Sequence, residues 1–288
     1  MEIARTIKEA VKAVGALRHP RKVVGLVPTM GALHEGHLSL VRAARLDCDV
    51  VVVSIFVNPT QFGPSEDFDR YPRDFDSDAA LLEKEDVGLV FTTTAQEMYP
   101  AGYSTFVLQG DLAGRLCGKS RPTHFRGVLT VVLKLFNILN PALAYFGQKD
   151  AQQVLMIKRM VADLNLSVEV RTLPTMREKD GLAMSSRNRR LSPEERKQGV
   201  CLYEALCAAR DALAGGERNT ARLIRIMRKK ISTAKLAEID YVDAVYPETL
   251  RRQDAVGKCV LLALAVRFGS VRLIDNMCLI SDGTETLC

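Results

Sequence analysis

The chain has 288 residues, 47% apolar and 26% charged, which excludes disordered, collagenous and fibrous classes and suits two domains better than one. Its net charge of +6 resides almost wholly in residues 177–288, where 20 basic side chains outnumber 15 acidic ones. That excess suits the phosphates of a nucleotide or a nucleic acid, and equally an ordinary solvated face.

In chain order, Ile3, Ile7, Ala10, Val11 and Val14 recur at helical spacing and predict an opening amphipathic helix. The N-terminal residues mix charges where a signal peptide would be apolar. No apolar stretch approaches the ~20 residues needed to cross a bilayer. Seven cysteines without a C-x-x-C pair predict reduced thiols, with Cys201 and Cys207 as small core residues of a helix. These features predict a cytoplasmic protein with no membrane partner. Residues 23–27 and 50–57 are unalternating β-branched runs, as expected of strands buried on both faces of a parallel sheet. Residues 88–91, 144–146 and 167–172 predict further strands, and residues 77–85, 127–139 and 151–164 predict helices between them. The alternation predicts an α/β fold, with a doubly wound, Rossmann-like parallel-sheet domain over residues 1–176.

From residue 177 the pattern changes. Ser192-Pro-Glu-Glu195 combines an N-cap serine, a first-turn proline and an acid three residues after the cap. The helix it opens is predicted to run to about Ala214, stopped by Gly215-Gly216. A second helix over 220–236 and short strands near 239–246, 258–267 and 271–274 complete a smaller α+β domain over residues 177–288. Residues 175–181 are the predicted hinge.

Two segments carry chemistry. Pro28-Thr-Met-Gly-Ala-Leu-His-Glu-Gly-His-Leu38 follows a predicted buried strand and opens a helix, an arrangement that aims backbone N–H groups and the helix dipole at an anion. His34 and His37, three apart, share a face of the first turn and can both donate to phosphate oxygens. A zinc reading lacks a third ligand at motif spacing. Lys179-Asp-Gly-Leu-Ala-Met-Ser-Ser-Arg-Asn188 can wrap a polyphosphate, with Arg187 a forked, always-charged partner for a leaving pyrophosphate. Taken alone, that loop would be ordinary. Together, the G-x-x-H-x-G-H helix start and the distant M-S-S-R loop resemble the HIGH and KMSKS motifs of ATP-using nucleotidyltransferases, with arginine replacing the second lysine.

Five ordered segments narrow the resemblance: residues 28–41; Val50-Val-Val-Val-Ser-Ile-Phe-Val-Asn-Pro-Thr-Gln-Phe62; Arg121-Pro-Thr-His-Phe-Arg-Gly127; Phe146-Gly-Gln-Lys-Asp-Ala-Gln-Gln153; and residues 180–190. The chain resembles the pantoate–β-alanine ligase family over essentially its whole length. The resemblance implies that ATP, with Mg²⁺, activates pantoate as an acyl-adenylate and that β-alanine then displaces AMP. It implies an ATP site of Met30, Gly31, Ala32, Leu33, His34, Glu35, Gly36 and His37, joined by Gly147, Gln148, Lys149 and Asp150, and by Met176, Met184, Ser185, Ser186 and Arg187. His34, His37, Lys149 and Arg187 would be catalytic. Lys149 would lie near the phosphates and Asp150 on the ribose hydroxyls. Gln61 and Gln153 would hold pantoate, with Val131 and Val132 as an apolar wall. Asn58 is a further neutral amide suited to hydroxyl and carboxylate oxygens.

Arg121 and His124 fall in a predicted lid loop and would meet phosphate or β-alanine. Gln152 is expected to be solvated, as are most acids of residues 66–78, one of which could help hold Mg²⁺. Gln148 stands where many relatives have glutamate, and so does Cys117, which puts an acidic role there in doubt. The family suggests a homodimer through the larger domain. Two rivals are a nucleotidyltransferase releasing a stable product and a nucleic-acid module using the basic half. The sparse aromatics of residues 177–288, none in a basic run, argue against nucleic acid.

Overall fold

The structure, a computed structural model, describes residues 1–17, 22–64 and 66–287. Packing divides it into two compact units, each discontinuous in sequence. The first holds Met1–Ala113, Arg121–Phe146 and Met156–Leu173, and the second Gly114–Ser120, Gly147–Leu155 and Pro174–Cys288.

The first unit is built on the β-branched runs. Strands β1 (Glu2–Ala4), β2 (Val24–Thr29), β3 (Val50–Ile55), β4 (Leu89–Thr92), β5 (Leu143–Gly147) and β6 (Glu169–Leu173) form one sheet in the order β1-β4-β3-β2-β5-β6. The pairings of β1 with β4, β4 with β3, β3 with β2 and β2 with β5 are all parallel. Every residue of β3 is buried, as its unbroken valines require. Helices α1 (Ile7–Leu17), α2 (Glu35–Asp47), α3 (Phe75–Lys84), α4 (Ala95–Met98), α6 (His124–Leu139) and α7 (Ala151–Asp163) connect the strands, and the short α5 (Cys117–Ser120) belongs to the second unit. Leu33, Leu38 and Val41 pack with Val27, Val53 and Leu82 in one core, so the start of α2 is set by apolar contacts on its inner side.

The opening of the chain differs from the sequence expectation. Ile3 lies in strand β1 beside Val90, and α1 begins only at Ile7. Glu9 accepts from the Arg5 and Thr6 amides, and Thr6 Oγ1 accepts from the Glu9 amide, so this reciprocal cap fixes the helix start. The inward residues are Ala10, Ala13 and Val14, while Val11 is exposed.

In the second unit, β7 (Ala237–Val245), β8 (Cys259–Phe268), β9 (Val271–Ile280) and β10 (Glu285–Thr286) form an antiparallel sheet in the order β10-β9-β8-β7. Helices α8 (Pro193–Gly199), α9 (Cys201–Ala214) and α10 (Thr220–Ile231) belong to the same unit, and α9 and α10 pack on the sheet. The single helix expected from Ser192 to Ala214 is two, separated at Val200. The serine cap, its reciprocal glutamate and the first-turn proline are as the sequence predicts. The second predicted helix stops at Ile231, and β9 runs six residues past its expected end because the polar pair Asp275-Asn276 stays inside the ladder. Cys201 is buried and Cys207 half-buried, both on α9. Cys48, Cys117, Cys201 and Cys207 are unbridged thiols, and Cys288 lies outside the described residues. Among the described residues no helix is long and apolar enough to cross a membrane.

Candidate active site

Strand β2 delivers Thr29 to a turn that only a special backbone can make. Gly31 (φ 78°) and Ala32 (φ 51°) both lie in the left-handed region, a strained choice for alanine. Asp78 of α3, 3% exposed, stabilises it: its two oxygens accept the amides of Ala32 (2.8 Å) and Leu33 (2.7 Å). These two N–H groups therefore point to a carboxylate of the protein, which corrects the expectation that they face a phosphate. It also corrects the reading of Asp78 as a solvated or Mg²⁺-holding acid. The contact leaves no room for a side chain at position 31, where a Cβ would stand 2.8 Å from the Asp78 Oδ2.

The two histidines form the helix cap itself. His34 is the N-cap and accepts the Gly36 amide on Nδ1 (3.1 Å), while His37 accepts the His34 amide on its own Nδ1 (3.3 Å). The ring centroids are 4.1 Å apart. Because each Nδ1 accepts, each ring carries its proton on Nε2, and both Nε2–H groups are donors on the first turn of α2. Glu35 instead pairs with Arg42, so its side chain is turned to a cation on its own helix.

Beside this turn sits an amide pair. Asn58 is 1% exposed and every polar atom is engaged: Nδ2 donates to Gln61 Oε1 (3.0 Å) and the Gly127 carbonyl (3.1 Å), and Oδ1 accepts from Thr60 and from Tyr99 Oη (2.8 Å). Asn58 thus acts by orienting Gln61, a correction to its expected direct contact with substrate. Burial pushes the Tyr99 phenol to about 12, which keeps it a donor to Asn58. Gln61 places its Nε2 3.1 Å from Met30 Sδ in the glycine turn. Arg121 and His124, expected in a lid, are fixed instead at the start of α6. His124 donates from Nδ1 to the Gln61 carbonyl (2.8 Å), and Arg121 forks onto Glu66 and reaches the same carbonyl. Gly127 permits this packing, since a Cβ there would lie 2.3 Å from the Thr60 carbonyl oxygen. Val131 and Val132 are buried on α6.

The second unit brings together a different set. Gln148, Lys149 and Asp150 form a one-turn 3₁₀ helix, and Ser185 caps a second such turn, Ser186–Arg190, which carries Arg187. Loss of hydration pushes the Lys149 ammonium below the usual lysine range; Asp150 pulls it back, Arg187 pushes it further down and Asp275 pulls it back. Gly147 precedes the first turn and Gln153 is half-buried on α7. Met176 is exposed, Met184 and Ser185 half-buried and Ser186 buried. The Met184 amide donates to the Met176 carbonyl, closing the hairpin that contains Gly181. Lys179 is exposed, while Asp180 and Glu178 are taken by Arg196. Gln152 is 7% exposed, not solvated: it accepts from the Cys117 amide (3.0 Å) and donates to the Arg115 carbonyl (2.8 Å). Cys117 itself contacts Tyr241 and Arg272, so the site where an acid was doubtful is a buried thiol beside a guanidinium.

Sequence reasoning missed Tyr99, Glu66, Arg177, Asp275 and Asn276. Asp275-Asn276, a polar pair inside an apolar strand, was the one legible signal. The chain is similar to known proteins over nearly its whole length. The sequence profile described as pantoate-beta-alanine ligase matches residues 2–278. The chain is 55% identical over 276 residues to a pantothenate synthetase of Thermotoga neapolitana, covering 96% of this chain and 99% of that one. It is 53% identical to that of Carboxydothermus hydrogenoformans, with 98% and 100% covered. A solved pantothenate synthetase from Thermus thermophilus matches with a TM-score of 0.91 at 46% identity, covering 96% and 99%. A Francisella tularensis pantoate-beta-alanine ligase, solved with beta-gamma ATP and beta-alanine, matches at 0.81 and 35%, covering 98% of each chain. With the profile spanning nearly all of its residues and relatives this similar over their full length, the chain belongs to the pantoate–β-alanine ligase family.

Proposed function

We propose that the chain is an ATP-dependent, amide-forming ligase that condenses pantoate with β-alanine, releasing AMP and pyrophosphate through a pantoyl-adenylate. The observation that carries the reading is the placement of Gln61, oriented by Asn58, against Met30 of the turn that opens the His34–His37 helix. A carboxylate held by that amide lies next to donors suited to phosphate.

Gln61 and Gln153 hold pantoate, with Val131 and Val132 as its wall. The Nε2–H groups of His34 and His37, with Lys149 and Arg187, neutralise charge on the phosphates as pyrophosphate leaves. Asp150 takes the ribose hydroxyls, and Met176, Met184, Ser185 and Ser186 complete the nucleotide contacts. The pantoate carboxylate is already ionised, so adenylation needs no general base and catalysis is positioning plus charge neutralisation. The second step needs a neutral amine, and His37 can take that proton on Nδ1 by giving up its bond to the His34 amide. Residues 1–176 serve pantoate and nucleotide, and residues 177–288 supply the phosphate loop.

Among the described residues no three His, Cys, Asp or Glu side chains gather as a cation site. Mg²⁺ would arrive on the ATP phosphates, where it would supply charge neutralisation. A homodimer through the first unit fits its exposed apolar run, in which Leu108 is 76% exposed and Phe106 37%. A cytoplasmic location fits the unbridged thiols of Cys48, Cys117, Cys201 and Cys207.

Exchange of labelled pyrophosphate into ATP, with pantoate and Mg²⁺ present and β-alanine absent, tests the reading. Pantoate-dependent exchange is expected. Exchange with another acid alone would overturn the substrate, and exchange with none would overturn the adenylate chemistry.

A further inference from the structure

We propose that Asn276 and Asp275 of β9 are positioning residues for the nucleotide, clamping the Gln148–Asp150 turn and the Arg177 hairpin so that Lys149 and Arg187 are presented at fixed places. The proposal rests on the ATP reading above and assigns these two residues a part in it.

Asn276 is 4% exposed and fully engaged. Its Oδ1 accepts from Gln148 Nε2 (3.1 Å), and its two amide hydrogens go to the Gln148 carbonyl (2.9 Å) and the Lys149 carbonyl (2.8 Å). A three-residue 3₁₀ turn has little stability of its own, and Gly147 offers it no side-chain cap. Asn276 adds a side-chain donor to each of two successive carbonyls of that turn. Only a neutral side chain with two donors and an acceptor closes all three bonds, since a carboxylate would set oxygen against oxygen.

Asp275, 2% exposed, addresses a different segment. It accepts both guanidinium nitrogens of Arg177 (2.6 and 3.0 Å) and its neighbour's amide (2.8 Å). Arg177 also donates to the Gly181 carbonyl (3.1 Å) and lies 4.3 Å over the Tyr203 ring. Tyr203 in turn blocks any side chain at Gly181, where a Cβ would meet the ring at 2.1 Å. The hairpin that Arg177 begins ends at Met184, directly before Ser185–Arg187. One dipeptide of one strand thus holds both phosphate-facing segments of this unit. Its charge completes the balance: Lys149, Arg177 and Arg187 are met by Asp150 and Asp275, a net positive set suited to an anion.

The test is steady-state pyrophosphate exchange by Asn276→Ala, Asn276→Ser and Asp275→Asn, with KM for ATP and for pantoate measured across pH and unfolding followed in parallel. Wild-type exchange that requires pantoate is established first. If the wild type gives none, the functional reading fails, and the clamp is judged instead by equilibrium ATP binding of the same variants. Asn276→Ala is expected to raise KM or Kd for ATP ~10-fold or more while pantoate KM stays within about twofold. Asn276→Ser, which returns one donor, is expected to recover part of that loss, and it carries the test if the alanine variant does not fold. In Asp275→Asn the alkaline rise in ATP KM or Kd is expected to begin at lower pH, because one of the two carboxylates whose charge favours the Lys149 ammonium is gone while Asp150 and Arg187 remain. An unchanged ATP constant in Asn276→Ala, equal changes in both substrates' KM values, or an unmoved alkaline limb in Asp275→Asn would overturn the proposal.

Discussion

The two segments proposed to offer donors to phosphate are held by opposite physical means. In the first unit, the His34–His37 turn is set by backbone amides, two left-handed residues, imidazole caps and close packing, with the single carboxylate Asp78 turned inward to amides. In the second, the Lys149 and Arg187 turns are set around buried charge, with Asp275 against Arg177 and a partly dehydrated lysine. The first arrangement is sensitive to shape and hydrogen-bond direction. The second is sensitive to charge and therefore to pH.

The comparison breaks first on the donors themselves. His37→Ala and Lys149→Ala are each expected to lower pantoate-dependent exchange by ~10²–10³-fold with the fold retained, His37→Ala also losing ~0.5–2 kcal/mol of helix capping; near-wild-type exchange in both would remove the site assignment. Next is shape: Gly127→Ala forces a Cβ into the Thr60–Gln61 backbone. It is expected to cost ~1–3 kcal/mol or more in denaturant unfolding and to raise pantoate KM more than ATP KM. A wild-type midpoint would show that α6 gives way freely.

Asp78→Asn turns an NH₂ group toward the Ala32 and Leu33 amides. The expected cost is ~1–3 kcal/mol with an ATP KM raised several-fold, and thermal unfolding with exchange kinetics checks both. The smallest effect is electrostatic. Burial works to raise the Glu66 carboxyl, but the Arg121 hydrogen bond and charge outweigh it and hold the group below its ordinary 4.5. The folded state therefore binds this proton less tightly than the unfolded chain. The stability it contributes is full above pH ~4.5 and is lost as pH falls through the lower folded value. Glu66→Gln is expected to flatten that acid limb in pH-dependent urea unfolding, and an unchanged limb would show that the pair contributes nothing.

Legibility followed the range of the interaction. The strand runs 50–57 and 23–27, the Ser192 cap and the His34–His37 helix start were readable because each is a pattern within about ten residues. The three-residue β1 was too short to show alternation, and the Ile3 spacing imitated a helix. The break at Val200 falls directly after Gly199, a single glycine inside an otherwise continuous helical pattern. Gln152 and Gln153 are indistinguishable by type, yet one is buried and locked to Arg115 and Cys117 while its neighbour stays half-buried on α7.

What the sequence by itself determined is the α/β and α+β character of its two halves, the helix start at His34–His37 and the family's ordered motifs. These depend on local periodicity, capping and spacing. Only the tertiary structure decided that Asp78 holds amides 45 and 46 positions away, that Asn58 serves Gln61, and that Asn276 clamps a turn 127 and 128 residues earlier. The physical reason is that a buried polar group is satisfied by whatever the fold brings to it. Its residue type states what it can donate or accept, and chain closure in space decides to whom.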